Sequence, residues 1–274
     1  MNNIYDFSLG TAVITGATSG IGETLTYKLA EMGTELALIG RSQDKLKKLL
    51  DNLKSKYPNI KASYHVIDLV NIDQIPKIAK EIVKKHPNVT LLINNAGIAL
   101  NGTIEEVSME NFEQVLTVNF RSQVAFVKEL LPTLKKTRGS QIANVSSLFG
   151  LIGPAGQSAY ASSKFAVRGF SDVLRSELKP YGIGVTTIYP AGVKTKIASS
   201  SLSGDKINAQ KAKQNNENFE KFLKMTPERA ADIIINGIRK RKSRVLIGSS
   251  AIILDILARL RPGSYGKVVE KIMK

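Results

Sequence analysis

The sequence contains no cysteine. Disulfides, thiol nucleophiles and cysteine-ligated metals are therefore excluded. Histidine is nearly as scarce: His65 and His86 are too few for a histidine-rich centre, and no metal is expected. His86 sits in the polar run Lys84-Lys85-His86-Pro87, which reads as a solvated helix end. His65 falls in an apparent strand and reads as a satisfied structural residue. No stretch reaches the roughly 18 consecutive apolar residues of a membrane span. Met1-Asn2-Asn3-Ile4-Tyr5-Asp6 also lacks the basic-then-apolar pattern of a signal peptide. A soluble, cytoplasmic chain is the expectation.

What is present suits a folded domain. The 274 residues are 43% hydrophobic and 23% charged, enough for one large α/β domain with a sizeable core. The formal net charge is +16, and the excess is uneven. From Thr195 onward 17 Lys and Arg stand against 7 Asp and Glu, so most of it lies in the tail.

Short apolar runs alternate with amphipathic segments through the first 190 residues. Strands are expected at 11–15, 35–39, 62–67, 89–93, 141–145 and 183–188. Helices are expected at 21–31, 44–56, 72–85, 109–118, 121–135 and 159–178. Strands this short and apolar argue for a parallel sheet covered on both faces. Right-handed crossovers then lead to a single-domain, Rossmann-type, doubly wound α/β fold over 1–274. Residues 199–218 are polar and weakly patterned, so 195–225 reads as a substrate loop or lid. Thr226 and Pro227 open a further helix to about residue 240.

Thr15-Gly16-Ala17-Thr18-Ser19-Gly20-Ile21-Gly22 joins the first strand to the first helix. Glycines there allow a tight turn and a close backbone approach to a pyrophosphate. The helix N-terminus adds donors and partial positive charge. The second strand ends Ile39-Gly40-Arg41-Ser42, without the acid that would hold ribose hydroxyls in an NAD site. Arg41 can instead pair with a 2′-phosphate, which points to NADP(H).

Tyr160 and Lys164 are spaced i, i+4 on an expected helix and share one face. A phenol near its ordinary pKa of about 10 is a poor base at neutral pH. A neighbouring ammonium favours the phenolate, so the pair suits proton transfer to or from an alcohol oxygen.

Six motifs occur in order: the glycine loop, Asn94-Asn95-Ala96-Gly97, Val118-Asn119, Asn144-Val145-Ser146-Ser147, Tyr160-Ala161-Ser162-Ser163-Lys164 and Pro190-Ala191-Gly192-Val193-Lys194-Thr195. Over about residues 8 to 195 the chain resembles the short-chain dehydrogenase/reductase family, with a flavour of its hydroxysteroid and lipid-type ketoreductases. The resemblance implies hydride transfer between a nicotinamide and a carbonyl or alcohol. Tyr160 would be the general acid and base, and Lys164 would hold the nicotinamide ribose. Ser147 would orient the substrate oxygen, with Ser146 structural, and Asn119 would hold a relay water. Gly16, Thr18, Ser19, Gly20, Ile21 and Gly22 would cradle the pyrophosphate. Asp68 and Leu69 would lie at the adenine, and Asn95, Ala96 and Gly97 along the adenosine side. Pro190, Gly192, Val193 and Thr195 would cover the nicotinamide. Ala191 stands where the family more often has glycine. A homodimer or homotetramer through the helices 121–135 and 159–178 is implied as well.

The C-terminal extension, 245–274, has a strand-like start and then amphipathic segments with interspersed arginine. It reads as a helix pair packed on the domain or on a partner subunit. Joined to the basic run Arg239-Lys240-Arg241-Lys242-Ser243-Arg244, it could also lie on an anionic membrane and serve a hydrophobic carbonyl substrate. No nucleic-acid motif accompanies the charge, so nucleic acid is not an expected partner. The alternative to an enzyme is a non-catalytic domain that senses NADP(H) or scaffolds a partner.

Overall fold

Apolar runs that alternate faces without a polar break need cover on both sides, and two helical layers supply it. The computed structural model describes residues 4–208, 210, 214, 217, 220 and 222–273. Seven parallel strands form the main sheet: β1 (Thr11–Thr15), β2 (Glu35–Gly40), β3 (Ala62–Val66), β4 (Val89–Asn94), β6 (Gln141–Val145), β7 (Gly184–Pro190) and β9 (Arg244–Ile247). Their order is β3-β2-β1-β4-β6-β7-β9. A small separate pair joins β5 (Leu100–Asn101) to β8 (Leu202–Ser203).

The period of two is visible in the packing. Ile14, Leu38 and Ile93 meet the helices α1 (Gly20–Glu31), α2 (Gln43–Lys56) and α8 (Pro227–Arg239) through Leu29, Leu53 and Ile234. Val13, Ile39 and Leu92 face α3 (Ile75–Lys85), α5 (Ser122–Leu134) and α6 (Ser158–Leu178) through Ile82, Leu130 and Leu174. Strand order reverses beside β1, and every motif picked out above except Val118-Asn119 follows the carboxyl end of a strand or opens the helix after it. That edge is where such sheets bind ligands.

The helices expected at 109–118 and 121–135 are one continuous run. α4 (Met109–Leu116) passes into α5 through a π-helical turn, Thr117–Arg121, which holds Asn119 in the interior. α8 is capped by Thr226, whose hydroxyl accepts from the Arg229 amide. The strand expected near 245 is β9, paired to β7. α9 (Ser249–Leu260) and α10 (Tyr265–Met273) follow it and pack on the domain. The segment expected as a loop at 199–218 is entered through α7 (Lys196–Ser199) and β8. Residues 209, 211–213, 215, 216, 218, 219 and 221 lie outside the described ones.

His86 corrects the reading of a solvated helix end. The chain turns from α3 into β4 beneath the amino ends of the strands, and His86 is buried there. Nε2 lies 2.8 Å from the Ser63 hydroxyl, and Nδ1 3.5 Å from Glu35. Burial holds its pKa below the ordinary histidine value. His65, buried beside Ser63, is held neutral near pKa 4 by the same desolvation, as its structural reading anticipated. His86 lies at the edge opposite the motifs, and neither histidine is among the residues lining the cleft or the space beside Tyr160.

Candidate active site

The glycine loop is built by exclusion. Gly16 and Gly20 adopt positive φ, and a Cβ on Gly22 would sit 2.2 Å from the Gly16 carbonyl oxygen. α1 therefore packs against the loop as only glycine allows. Thr15 was not singled out in the sequence, yet its hydroxyl accepts from both the Asn95 and Ala96 amides, each at 3.0 Å. The Asn95 side chain donates to the carbonyls of Thr15 and Gly16, so Asn95 clamps the loop to β4. Thr195 lies over Gly20, with its methyl 3.0 Å from where a Cβ would stand. The carboxyl edge so formed carries an open cleft of about 480 Å³, lined by Gly20, Lys194, Thr195, Lys196, Glu220, Leu223 and Pro227.

Three observations test whether this edge fits a dinucleotide. The backbone is partly exposed at Gly16 and Gly20, and Gly22 lets α1 pack directly beneath the loop. Ser19 opens α1 without a side-chain cap, so the first-turn amides face outward. Arg41 is exposed at the end of β2 and makes no hydrogen bond or ion pair with any described residue. A pyrophosphate and a second anion match these features. Asp68 holds its own turn by accepting from the Val70 amide at 3.1 Å, and Leu69 is buried behind it. Ile21 is buried under the loop, and Thr18 lies against Gly40.

The loop after β7 settles what Ala191 does. The residue in the left-handed region is Gly192, at φ +64, with the Phe222 carbonyl 2.7 Å from a would-be Cβ. Ala191 keeps an ordinary backbone and donates to Ile247 of β9. Lys194 donates to Met225, and Val193 bridges to it, so the segment from Pro190 is tied to the chain entering α8.

Tyr160 and Lys164 lie one turn apart on α6, with the Lys164 ammonium 5.6 Å from the Tyr160 ring centre. Both are buried. Lys164 donates to the Val145 carbonyl at 3.1 Å, and burial pulls its pKa down to about 8. Burial pushes the Tyr160 phenol up, opposed by a side-chain hydrogen bond to Ser147. This corrects the expectation that the lysine draws the phenol toward the phenolate. Loss of water around the ring outweighs the Ser147 hydrogen bond, and the phenol is held protonated.

The two serines differ in their surroundings. Ser146 is buried and donates to the Lys164 carbonyl at 2.8 Å, pinning α6 to the end of β6. Ser147 is half-buried and faces Tyr160. Asn119 spends its carboxamide inside the protein. It accepts from the Ile98 amide at 2.8 Å and donates to the Ile98 carbonyl and the Ser163 hydroxyl. Its side chain is therefore committed to joining the π-turn, the strand-end loop and α6. Asn119 and Lys164 both border Gly97, 3.1 and 3.3 Å from a would-be Cβ.

A family profile described as short chain dehydrogenase matches residues 10–206. The chain belongs to that family. It is 36% identical over 261 residues to the Mycobacterium tuberculosis protein SadH, named as an oxidoreductase, spanning 94% of this chain and 93% of that one. The mouse 3-ketodihydrosphingosine reductase is 32% identical over 189 residues, 67% of this chain and 56% of that protein. Among solved structures, a short-chain dehydrogenase from Burkholderia phymatum in complex with NAD superposes with TM-score 0.85 at 24% identity. It covers 94% of this chain and 96% of its own. One from Sphingobium yanoikuyae in complex with NADPH gives 0.76 at 25% identity, covering 93% and 94%. This member is an oxidoreductase on a nicotinamide-binding Rossmann-type fold.

Proposed function

We propose that this dehydrogenase is an NADP(H)-dependent carbonyl reductase, acting reversibly on a ketone or aldehyde with a hydrophobic body. The observation that carries the reading is the buried Tyr160 phenol, hydrogen-bonded to Ser147 and one turn from the Lys164 ammonium. A bound nicotinamide supplies the hydride. Tyr160 then donates its proton to the carbonyl oxygen, and Ser147 orients that oxygen. Lys164 holds the cofactor's ribose and restores the proton. With the Asn119 side chain committed, a relay water on Asn119 would rest on its main-chain carbonyl, beside the π-turn. Gly16, Gly20 and Gly22 cradle the pyrophosphate, and Arg41 pairs with a 2′-phosphate.

The hydrophobic substrate is supported by the walls beside Tyr160. Ala99, Phe149 and Ile197 line the space there, with Asn101, Gln157 and Ser201 as its polar side. The mouse relative named as a 3-ketodihydrosphingosine reductase is consistent with a lipid-like ketone. Assembly as a homodimer or homotetramer through α5 and α6 is supported by exposed Phe165 and Val173 on α6. Contact of the C-terminal extension with an anionic membrane is proposed beside this reading and does not depend on it.

The direct test follows NADPH oxidation over a panel of carbonyls that includes long-chain and sterol-like ketones. Turnover is expected to favour the apolar members over short polar ketones of equal intrinsic reactivity. A flat response across the panel would remove the hydrophobic-substrate reading. No turnover at all, with NADPH bound, would favour a non-catalytic sensor.

A further inference from the structure

We propose that the outer face of the α9–α10 pair docks on an anionic lipid surface, and that the substrate reaches Tyr160 from that surface, beneath the same helices. The second half rests on the carbonyl-reductase reading; the docking does not.

α9 is apolar on two opposite sides. Its inner side buries Ala251 and Leu254. Leu254 belongs to the apolar cluster that contains Tyr160, Phe149 and Ile152. Its outer side presents Ile252, Ile253, Ile256 and Leu260, which are 47, 62, 51 and 77% exposed. At 100° per residue these four fall within one stripe about 100° wide. A helix apolar all round is normally enclosed. This one is enclosed on one side only.

Charge selects what covers the other side. The exposed charged side chains described on α9, α10 and the turn between them are Arg259, Arg261, Lys267 and Lys271 against Glu270. Asp255 is buried, paired with Arg244 at 2.7 Å and with Arg259 at 3.2 Å. A greasy stripe with a cationic rim fits the boundary of an anionic bilayer, where apolar side chains enter the acyl region and cations meet the headgroups. No helix among the described residues is long and apolar enough to cross a membrane, so the contact lies on the surface. The basic run 239–244 contributes less than its composition suggested. Arg241 donates to the carbonyls of Gly139 and Gly182, and Arg244 holds Asp255, so two of its cations are spent on the fold.

The route follows from how α9 and α10, which join the Tyr160 cluster through Leu254 and Val269, are fastened. The enclosed space beside Tyr160 measures about 20 Å³, room for roughly one water. A lipid-sized ketone therefore enters only when a neighbouring element moves. Ala99, Phe149, Tyr160 and Ile197 line the space, and α9 and α10 adjoin it through Leu254 and Val269 in the same apolar cluster. α9 is held by Ala251, Leu254 and the Arg244–Asp255 pair, whereas α10 buries Val269 alone among its described side chains. Arg261, Pro262, Gly263 and Ser264, between the two helices, are exposed. α10 is the part that yields, and it yields on the side that carries the stripe.

The test uses the full chain with vesicles of phosphatidylcholine alone or with roughly 30% phosphatidylglycerol. The protein is expected to sediment with the anionic vesicles at low salt, to be released by high salt, and to ignore the neutral ones. Ile253→Ser with Leu260→Ser changes only outward side chains and should lower anionic-vesicle partition at least about tenfold. Its turnover on a water-soluble ketone should be unchanged, while turnover on a vesicle-embedded ketone falls by the same factor as partition. Absence of sedimentation at low salt, or equal partition of the double variant, would overturn the docking. A shift of the double variant to a smaller species in light scattering would also overturn it, since the stripe would then belong to a second copy. Equal turnover of both proteins on the embedded ketone would overturn the route. If no carbonyl is reduced at all, the reductase reading fails while sedimentation still decides the docking.

Discussion

Replacing Tyr160 by phenylalanine is expected to lower reductase turnover by roughly 10²–10⁴-fold and to leave NADPH binding, read by fluorescence titration, essentially unchanged. The ring stays in place for physical reasons. It packs edge-on against Phe149 at 6.0 Å and belongs to the cluster with Ala99, Ile152 and Leu254. Phenylalanine keeps those contacts and removes only the oxygen, so the thermal midpoint serves as the control for folding. Lost turnover with an unchanged midpoint isolates the proton. Turnover within twofold of the parent would refute Tyr160 as the acid.

The same electrostatics set a pH limit. Burial holds the Tyr160 phenol above its ordinary value, which favours the protonated acid needed for reduction. Lys164 moves the other way, to about 8. Its ammonium is present below that pH and is lost as pH rises through it. The kcat/KM for carbonyl reduction is therefore expected to be level near neutrality and to fall above about pH 8. An unbroken plateau to pH 10 would show that no ammonium on Lys164 is required.

Much of this site was legible because its parts are local. The glycine loop, Arg41 after β2, and the Tyr160–Lys164 spacing are each set within a few residues, and the strand edge gathers them as the topology requires. What escaped depends on partners far along the chain. Thr15 reads as the last residue of a strand until Asn95 and Ala96 arrive, some eighty residues later, to share its hydroxyl. The commitment of Asn119 is visible only once Ile98 and Ser163 surround it. His86 looked solvated because its sequence neighbours are lysines, while its spatial neighbours are Thr11, Glu35 and Ser63. Tyr160 shows the same limit in energetic form. The i, i+4 spacing reports the ammonium, but not the burial that raises the phenol. The α9 stripe was legible as amphipathic, though not that both of its sides are apolar and that one of them reaches the cluster around Tyr160.

Arg41→Ala should raise the KM for NADPH by about 10–100-fold while moving that for NADH less than about threefold, from the loss of a charge-assisted contact worth about 1.5–3 kcal/mol. The position makes the contact selective. The Ala17 amide donates to the Ile39 carbonyl at 3.1 Å, so the glycine loop is tied to the end of β2, two residues before Arg41. The guanidinium thus stands on the adenosine side of the pyrophosphate cradle, exposed, with no carboxylate among the described residues to neutralise it. A 2′-phosphate would supply that counter-charge, whereas a bare ribose offers only hydroxyls. The solved structures bound to NAD and to NADPH show that this fold serves either cofactor, so local chemistry has to choose. Arg41→Lys separates charge from geometry: partial retention of the NADPH preference indicates a point-charge contact, and loss as complete as in Arg41→Ala indicates a two-pronged one. Equal effects of Arg41→Ala on both cofactors would refute the 2′-phosphate assignment, leaving Arg41 as a general anchor for either dinucleotide.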